Sequence, residues 1–60
     1  MKKERIVEEI LWKLEMDGSI SKGLLFFEIP AGAEEIEETI EELKEEGVIE
    51  EKNGKLKIIR

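Results

Sequence analysis

The sequence predicts one small α+β domain over residues 1–60, in which a helix, a short strand, two helices and a β-hairpin follow one another. Three observations carry this prediction. Apolar residues recur every three to four positions in two long segments, which is the spacing of one face of a helix. The dipeptide Asn53–Gly54 lies between residues 48–52 and 55–59 and is the strongest short-range signal for a hairpin. Pro30 interrupts the chain between the second and third predicted helices.

The first predicted helix covers residues 2–17. Ile6, Ile10 and Leu14 form one apolar stripe, and charged residues occupy the other side. Gly18 follows this segment, and glycine suits the left-handed conformation that ends many helices. A short extended segment over residues 19–21 comes next.

The segment after Ser21 has two interpretations. A helix over residues 22–29 would be capped at its N-terminus by the Ser21 hydroxyl. Gly23 weakens this prediction, because glycine inside a helix costs about 1 kcal/mol relative to alanine. The alternative is a buried strand over residues 24–29, since a short apolar segment does not by itself distinguish strand from helix.

The third predicted helix, residues 33–46, has the clearest pattern in the chain. Ile36, Ile40 and Leu43 recur at helical spacing, and Gly47 ends the segment. The hydrophobic pattern and the following glycine therefore agree on where this helix lies.

Residues 48–59 form the predicted hairpin. Asn53–Gly54 fits a two-residue type I′ turn, because that turn requires positive φ at both central residues. Such a turn pairs Lys52 with Lys55 and, further from the turn, Ile49 with Ile58. The isoleucine pair then faces the core.

Composition excludes several classes of function. The chain contains neither Cys nor His, which removes disulfides, thiolate nucleophiles, most zinc sites and the commonest general base. The longest apolar segment, residues 24–27, is too short to cross a membrane. We therefore predict no enzyme activity, no catalytic residue, no cofactor, no metal site and no membrane association.

The acidity of the chain is concentrated in one segment. The net charge is −6, yet residues 32–47 contain eight glutamates and one lysine, whereas residues 48–60 are net positive. The glutamates could in principle hold a divalent cation or a basic partner. A straight helix presents its carboxylates divergently, however, so a solvated face that favours solubility is the expected interpretation.

The order of elements, α-β-α-α-β-β, resembles the winged helix-turn-helix domains of transcription regulators. The resemblance covers residues 6–59 and needs no gap. It rests on Gly18, Ile20, Leu25, Phe26, Ile29, Ile36, Ile40, Leu43, Gly47 and Ile49. It implies a three-helix fold in which the C-terminal β-hairpin is the wing. Three residues depart from the pattern usual in such domains, namely Phe26, Phe27 and Ala31.

The resemblance also implies that the third helix enters the DNA major groove, but the residues on that helix argue against this role. Its outward positions are expected to be Ala33, Glu34, Glu37, Glu38, Thr39, Glu41, Glu42 and Glu45. None is an arginine, lysine, asparagine or glutamine that could read a base edge or neutralise a phosphate. DNA affinity depends largely on cations that displace counterions, and this helix has the opposite charge.

Two other groups of residues are candidates for interaction. Lys52, Lys55 and Lys57 on the hairpin are possible phosphate contacts, although solvated lysines also discourage pairing between exposed strand edges. Lys2, Lys3 and Arg5 add positive charge at the N-terminus.

Trp12 and Phe27 form a possible aromatic patch for a partner or for a homodimer. In the alternative interpretation Trp12 covers the edge of the core, and Phe27 packs beneath the hairpin or the first helix.

These observations favour a designed or redesigned winged-helix scaffold with no evolved biochemical activity. Glutamate outnumbers aspartate fifteen to one, which is typical of designed helices and of hyperthermophile proteins, so thermostability is expected. The alternatives are a natural thermophile winged-helix module that binds a protein partner, and a DNA-binding transcription regulator that uses its basic hairpin. A soluble monomer, cytoplasmic if natural, is expected rather than a homodimer.

Overall fold

A computed structural model describes residues 1–60 and confirms the α+β class and the predicted order of elements. The helices are α1 (Lys3–Asp17), α2 (Lys22–Glu28) and α3 (Ala33–Glu45), and the strands are β1 (Ile20–Ser21), β2 (Ile49–Lys52) and β3 (Lys55–Ile58). Each element lies within one or two residues of its predicted bounds.

The segment after Ser21 is a helix, and the alternative strand over residues 24–29 is wrong. The Ser21 Oγ accepts a hydrogen bond from the Leu24 N–H at 3.3 Å, as an N-cap does. Leu25 and Ile29, four residues apart, are both buried on the same side. Ile29 already has extended backbone angles, as expected for the residue before a proline.

The three strands form one antiparallel sheet in the order β1-β3-β2. The predicted hairpin register is confirmed, with Lys52 opposite Lys55 and Ile49 opposite Ile58. Asn53 and Gly54 both have positive φ, as a type I′ turn requires. β1 pairs with β3 through Ile20 and Leu56, so β3 is the central strand. Strand alternation directs Leu56 into the core and its neighbours Lys55 and Lys57 outward.

One cluster of eleven buried apolar residues forms the core, and every helix and strand contributes to it. The members are Ile6, Ile10, Leu14, Ile20, Leu25, Ile29, Ile36, Ile40, Leu43, Ile49 and Leu56. Thr39 is buried with them, so the expectation that it faces outward is wrong. Its hydroxyl donates to the Glu35 carbonyl at 2.8 Å, so the α3 backbone satisfies the only buried polar side chain.

Candidate functional site

The outward side of α3 carries the acidic face, which we define as Glu34, Glu37, Glu38, Glu41, Glu42 and Glu45. It lies opposite the buried stripe of Ile36, Ile40 and Leu43. No group of three carboxylates in the chain is arranged so that it could hold a metal ion. At one flank, Glu38 lines a small depression of about 90 Å³ together with Lys3 and Glu35.

Lysines from three helices neutralise the flanks of the acidic face. Lys3 of α1 bonds to Glu42, and the Lys22 Nζ of α2 lies 3.2 Å from the Glu37 Oε1. Within α3, the Lys44 Nζ lies 3.5 Å from the Glu41 Oε2. The partners Lys3 and Lys22 are remote in sequence, so the pattern of residues contained no signal for these pairs.

Glu51 of β2 joins the same network from the other side. Its Oε1 accepts from the Lys44 Nζ at 3.0 Å and lies 3.7 Å from the Lys22 Nζ. The hydrogen bond from Lys44, together with the positive charge of Lys22, lowers the pKa of Glu51 below its usual value of 4.5. The same hydrogen bond raises the pKa of Lys44. The network ties α2, α3 and β2 together along one edge of the core.

The structure brings Lys52, Lys55 and Lys57 together on the outer side of the sheet. With Ser19 and Asn53 they line an open depression of about 300 Å³. We call this surface the outer sheet face. The sequence pattern indicates the three lysines but not Ser19, because the pairing of β1 with β3 that places it there has no signal of its own.

The basic residues at the N-terminus do not extend this basic surface. Lys3 is bonded to Glu42, and the Arg5 Nε lies 3.8 Å from the Glu9 Oε2. Both side chains are therefore directed to carboxylates on the helices. Of the two predicted basic groups, the structure gathers only the hairpin lysines around one depression.

Phe27 and Trp12 are exposed, with 86% and 58% of their surfaces accessible to solvent. The alternative in which they cover the core is wrong, because neither belongs to the residues packed against it. Phe27 lies on the side of α2 opposite the buried Leu25, so its ring faces outward.

A short chain of contacts joins the two helices that carry these aromatic residues. The Lys13 Nζ is 5.7 Å from the Trp12 ring centroid and 3.1 Å from the Glu28 Oε1. Glu28 directly follows Phe27 in the sequence. The two aromatic residues therefore lie on neighbouring helices that an ion pair connects.

No protein-family model, curated protein or solved structure matches this chain. None of its helices combines the length and the apolar character that crossing a membrane requires.

Proposed function

We propose that the chain is a winged helix-turn-helix scaffold, designed or redesigned on that backbone. In this proposal it carries no evolved biochemical activity and does not insert its third helix into DNA. One observation supports the proposal most directly: α3 carries no positive charge before Lys44, and the Lys44 ammonium is directed to Glu41 and Glu51.

The negative charge of the acidic face makes it poorly suited to enter the DNA major groove. A helix in the major groove is flanked by two rows of phosphates, and specific proteins hold it there with cations. The lysines that reach α3, namely Lys3 and Lys22, already pair with its flanks. The centre of the face, with Glu34, Glu38 and Glu45, forms no ion pair and would meet the phosphates unneutralised.

Titration of labelled random duplex DNA, followed by fluorescence anisotropy at about 50 mM and about 200 mM salt, tests the proposal. We expect no saturable binding at either concentration. Binding that weakens steeply between the two would overturn the scaffold proposal and favour the alternative, a DNA-binding regulator that uses the hairpin lysines.

A charge-reversed variant tests whether charge alone keeps α3 from DNA. The triple substitution Glu34→Lys, Glu38→Lys and Glu45→Lys makes the centre of the face basic without touching a paired residue. We expect this variant to bind duplex DNA at the lower salt concentration. The matched control, the same three positions changed to Gln, removes the negative charge without supplying cations and is expected not to bind.

A natural module for binding a protein partner is the second candidate, and the exposure of Phe27 favours it. A phenylalanine this exposed gains nothing for the fold, whereas aromatic residues are common anchors at protein interfaces. In this alternative the isolated chain is a monomer. Light scattering over a hundredfold concentration range should then give one constant mass, and a rising mass would contradict it.

A further inference from the structure

We propose that Asn53 is a site of spontaneous covalent modification, at which the Gly54 backbone nitrogen attacks the Asn53 side-chain amide and the turn is converted to isoaspartate. The reaction requires only water and hydroxide from the solvent. The proposal goes beyond the scaffold function and does not depend on it. It rests on the dihedral angles of the turn, on the unbonded Gly54 N–H and on the exposure of both residues.

The modification consists of two balanced steps. In the first, hydroxide removes the Gly54 amide proton, the nitrogen bonds to the Asn53 Cγ and the Cγ–Nδ2 bond breaks. A proton from water goes to the departing nitrogen, so ammonia leaves and a five-membered succinimide ring remains. In the second step, water opens the ring at one of its two carbonyls. Opening at the main-chain carbonyl routes the chain through Cγ as isoaspartate, and opening at Cγ gives ordinary aspartate.

The backbone of the turn is one peptide rotation away from ring closure. The ring closes when the Asn53 Cβ eclipses the Gly54 nitrogen, which requires ψ of about −120°, the value at the first central residue of a type II′ turn. Asn53 already has φ of 54°, close to the roughly 60° that type I′ and type II′ turns share. Rotation of the peptide between the two residues converts one turn into the other. Both turn types fit a two-residue hairpin, so the strands need not separate.

Glycine at position 54 removes the obstacles to this attack. In the rotation its φ changes from 78° to about −80°, and glycine adopts both signs about equally readily. Even an added Cβ would meet nothing within 4 Å, so the space beside the nitrogen is open. The Gly54 N–H donates no backbone hydrogen bond, and none is lost when the nitrogen is deprotonated.

Asp17 and Gly18 place a side chain of the same length before a glycine, and the fold holds that pair in an unreactive geometry. Asp17 is the last residue of α1, where helical ψ is about −40°. The Gly18 N–H donates to the Leu14 carbonyl at 2.8 Å, so its nitrogen is already bonded. The comparison separates the turn from the helix end and assigns the reaction to Asn53.

The charge around the turn favours the anionic species of the first step. Lys52 and Lys55 lie directly opposite each other at the ends of the turn, and both line the depression that Asn53 borders. Positive charge nearby stabilises an ionised group relative to its neutral form. The two ammonium groups therefore favour the deprotonated nitrogen and the oxyanion formed on Cγ.

Isoaspartate would disturb the fold because it adds one methylene group to the main chain of the turn. The register of a hairpin is set by the type of turn and the length of the loop. The present register places Ile49 opposite Ile58 and directs Leu56 into the core. A longer loop no longer matches this pairing, so the modification weakens the sheet and the core together.

Incubation of the full chain at neutral and at mildly alkaline pH, followed by intact-mass measurement, tests the proposal. The chain has one asparagine and no glutamine, so a mass gain equal to exchange of an amino group for a hydroxyl group can come only from Asn53. We expect this gain to increase with time, and faster at the higher pH because hydroxide generates the attacking nitrogen. A synthetic peptide of residues 50–57 gives the rate without the fold. A chain that gains no mass while the peptide converts would overturn the proposal.

Fragmentation by electron transfer then distinguishes isoaspartate from aspartate in the converted chain. We expect isoaspartate in excess, because the main-chain carbonyl of the ring is the more reactive one. Aspartate alone would mean direct hydrolysis of the side chain without attack by Gly54, and would overturn the proposal.

Two variants separate the added charge from the longer backbone. Asn53→Asp carries the new charge on an unaltered backbone, and an Asp-Gly pair also fits a type I′ turn. Asn53→Gly keeps the turn but has no side chain to cyclise, so its melting temperature should not change during incubation. We expect the converted chain to melt below freshly prepared Asn53→Asp. Equal melting temperatures would overturn the claim that isoaspartate disrupts the hairpin.

Discussion

The acidic face of α3 and the outer sheet face differ in how their charges are compensated. Lys3, Lys22 and Lys44 approach the acidic face from three helices and pair with its flanks. On the outer sheet face Glu50 lies directly opposite Lys57, but no ion pair joins the two side chains. The acidic face, whose charge is in excess in this chain, is therefore partly neutralised by lysines. The lysines of the outer sheet face form no ion pair.

Secondary-structure geometry explains this difference. Alternation along β2 turns Glu51 to the inner side, where it meets Lys44, and turns Lys52 to the outer side. Helix α3 packs under the inner side of the sheet, so its glutamates stay out of reach of the outer lysines. Net charge therefore says little about what a protein this small attracts, because each face acts within about one Debye length.

Removing the apolar side chain between Lys55 and Lys57 should unfold the domain and abolish both surfaces. Leu56→Ala deletes a fully buried side chain from the central strand. The expected cost is about 2–5 kcal/mol, comparable with the roughly 3–5 kcal/mol that the core of so small a domain supplies. We expect a largely unfolded chain in urea denaturation monitored by circular dichroism. Lys57→Ala, the next residue on the outer side, should change stability by less than about 0.5 kcal/mol.

The hairpin turn offers a second and smaller perturbation. Gly54 has φ of +78°, so Gly54→Ala forces a side chain into the left-handed region and should cost about 1–2 kcal/mol. The matched control is Gly23→Ala on α2, where an added methyl group meets nothing within 4 Å. It should stabilise the fold by up to about 1 kcal/mol. Thermal melts should show a lower melting temperature for Gly54→Ala and a higher one for Gly23→Ala. Changes of the same sign in both variants would contradict the interpretation.

The ion pair between Glu51 and Lys44 makes the stability of the fold depend on pH. The pKa of Glu51 is lowered in the fold, so its contribution to stability is present above its usual value of 4.5 and is lost as the pH falls below it. The pKa of Lys44 is raised, so its contribution is lost as the pH rises above 10.5. We expect Glu51→Gln to lose less stability than the original chain between about pH 5 and about pH 2 in urea denaturation. If the variant and the original chain lost the same stability over this pH range, the role of Glu51 would be contradicted.

The smallest effect concerns repulsion at the centre of the acidic face. Glu34 and Glu38 are four residues apart and neither has a lysine partner, so Glu38→Gln should stabilise α3 by about 0.2–0.5 kcal/mol at low salt. Added NaCl screens the same repulsion and should raise the melting temperature of the original chain more than that of the variant. A melting temperature that falls between low and moderate NaCl would contradict this account.

The fold was predictable where a local rule applies. The Asn53–Gly54 turn determines the register of the hairpin, and the spacing of Ile36 and Ile40 determines which side of α3 is buried. Leu24 to Ile29 was ambiguous because a short apolar segment fits strand and helix alike, and the hydrogen bond from Leu24 to Ser21 decides it. Thr39 was expected outside because threonine is polar, although its hydroxyl can be satisfied within its own helix.

The candidate surfaces were only partly predictable, because they depend on contacts between remote segments. The positions of Lys52, Lys55 and Lys57 follow from strand alternation, so their common face could be foreseen. The absence of an ion pair between Lys57 and Glu50, its partner in the hairpin register, could not be foreseen. The exposure of Phe27 was one of two interpretations of the sequence, because an apolar residue beside Leu25 also fits a buried position.

The position of β3 at the centre of the sheet also affects how the protein is made. Ile20 pairs with Leu56, and both later helices lie within the loop that this pairing closes. The central strand is thus the last of the three to leave the ribosome. Until it emerges, β1 and β2 have no strand to pair with, so the sheet cannot form. Folding should therefore be a late event that follows synthesis of the final strand, instead of proceeding from the N-terminus as the chain grows.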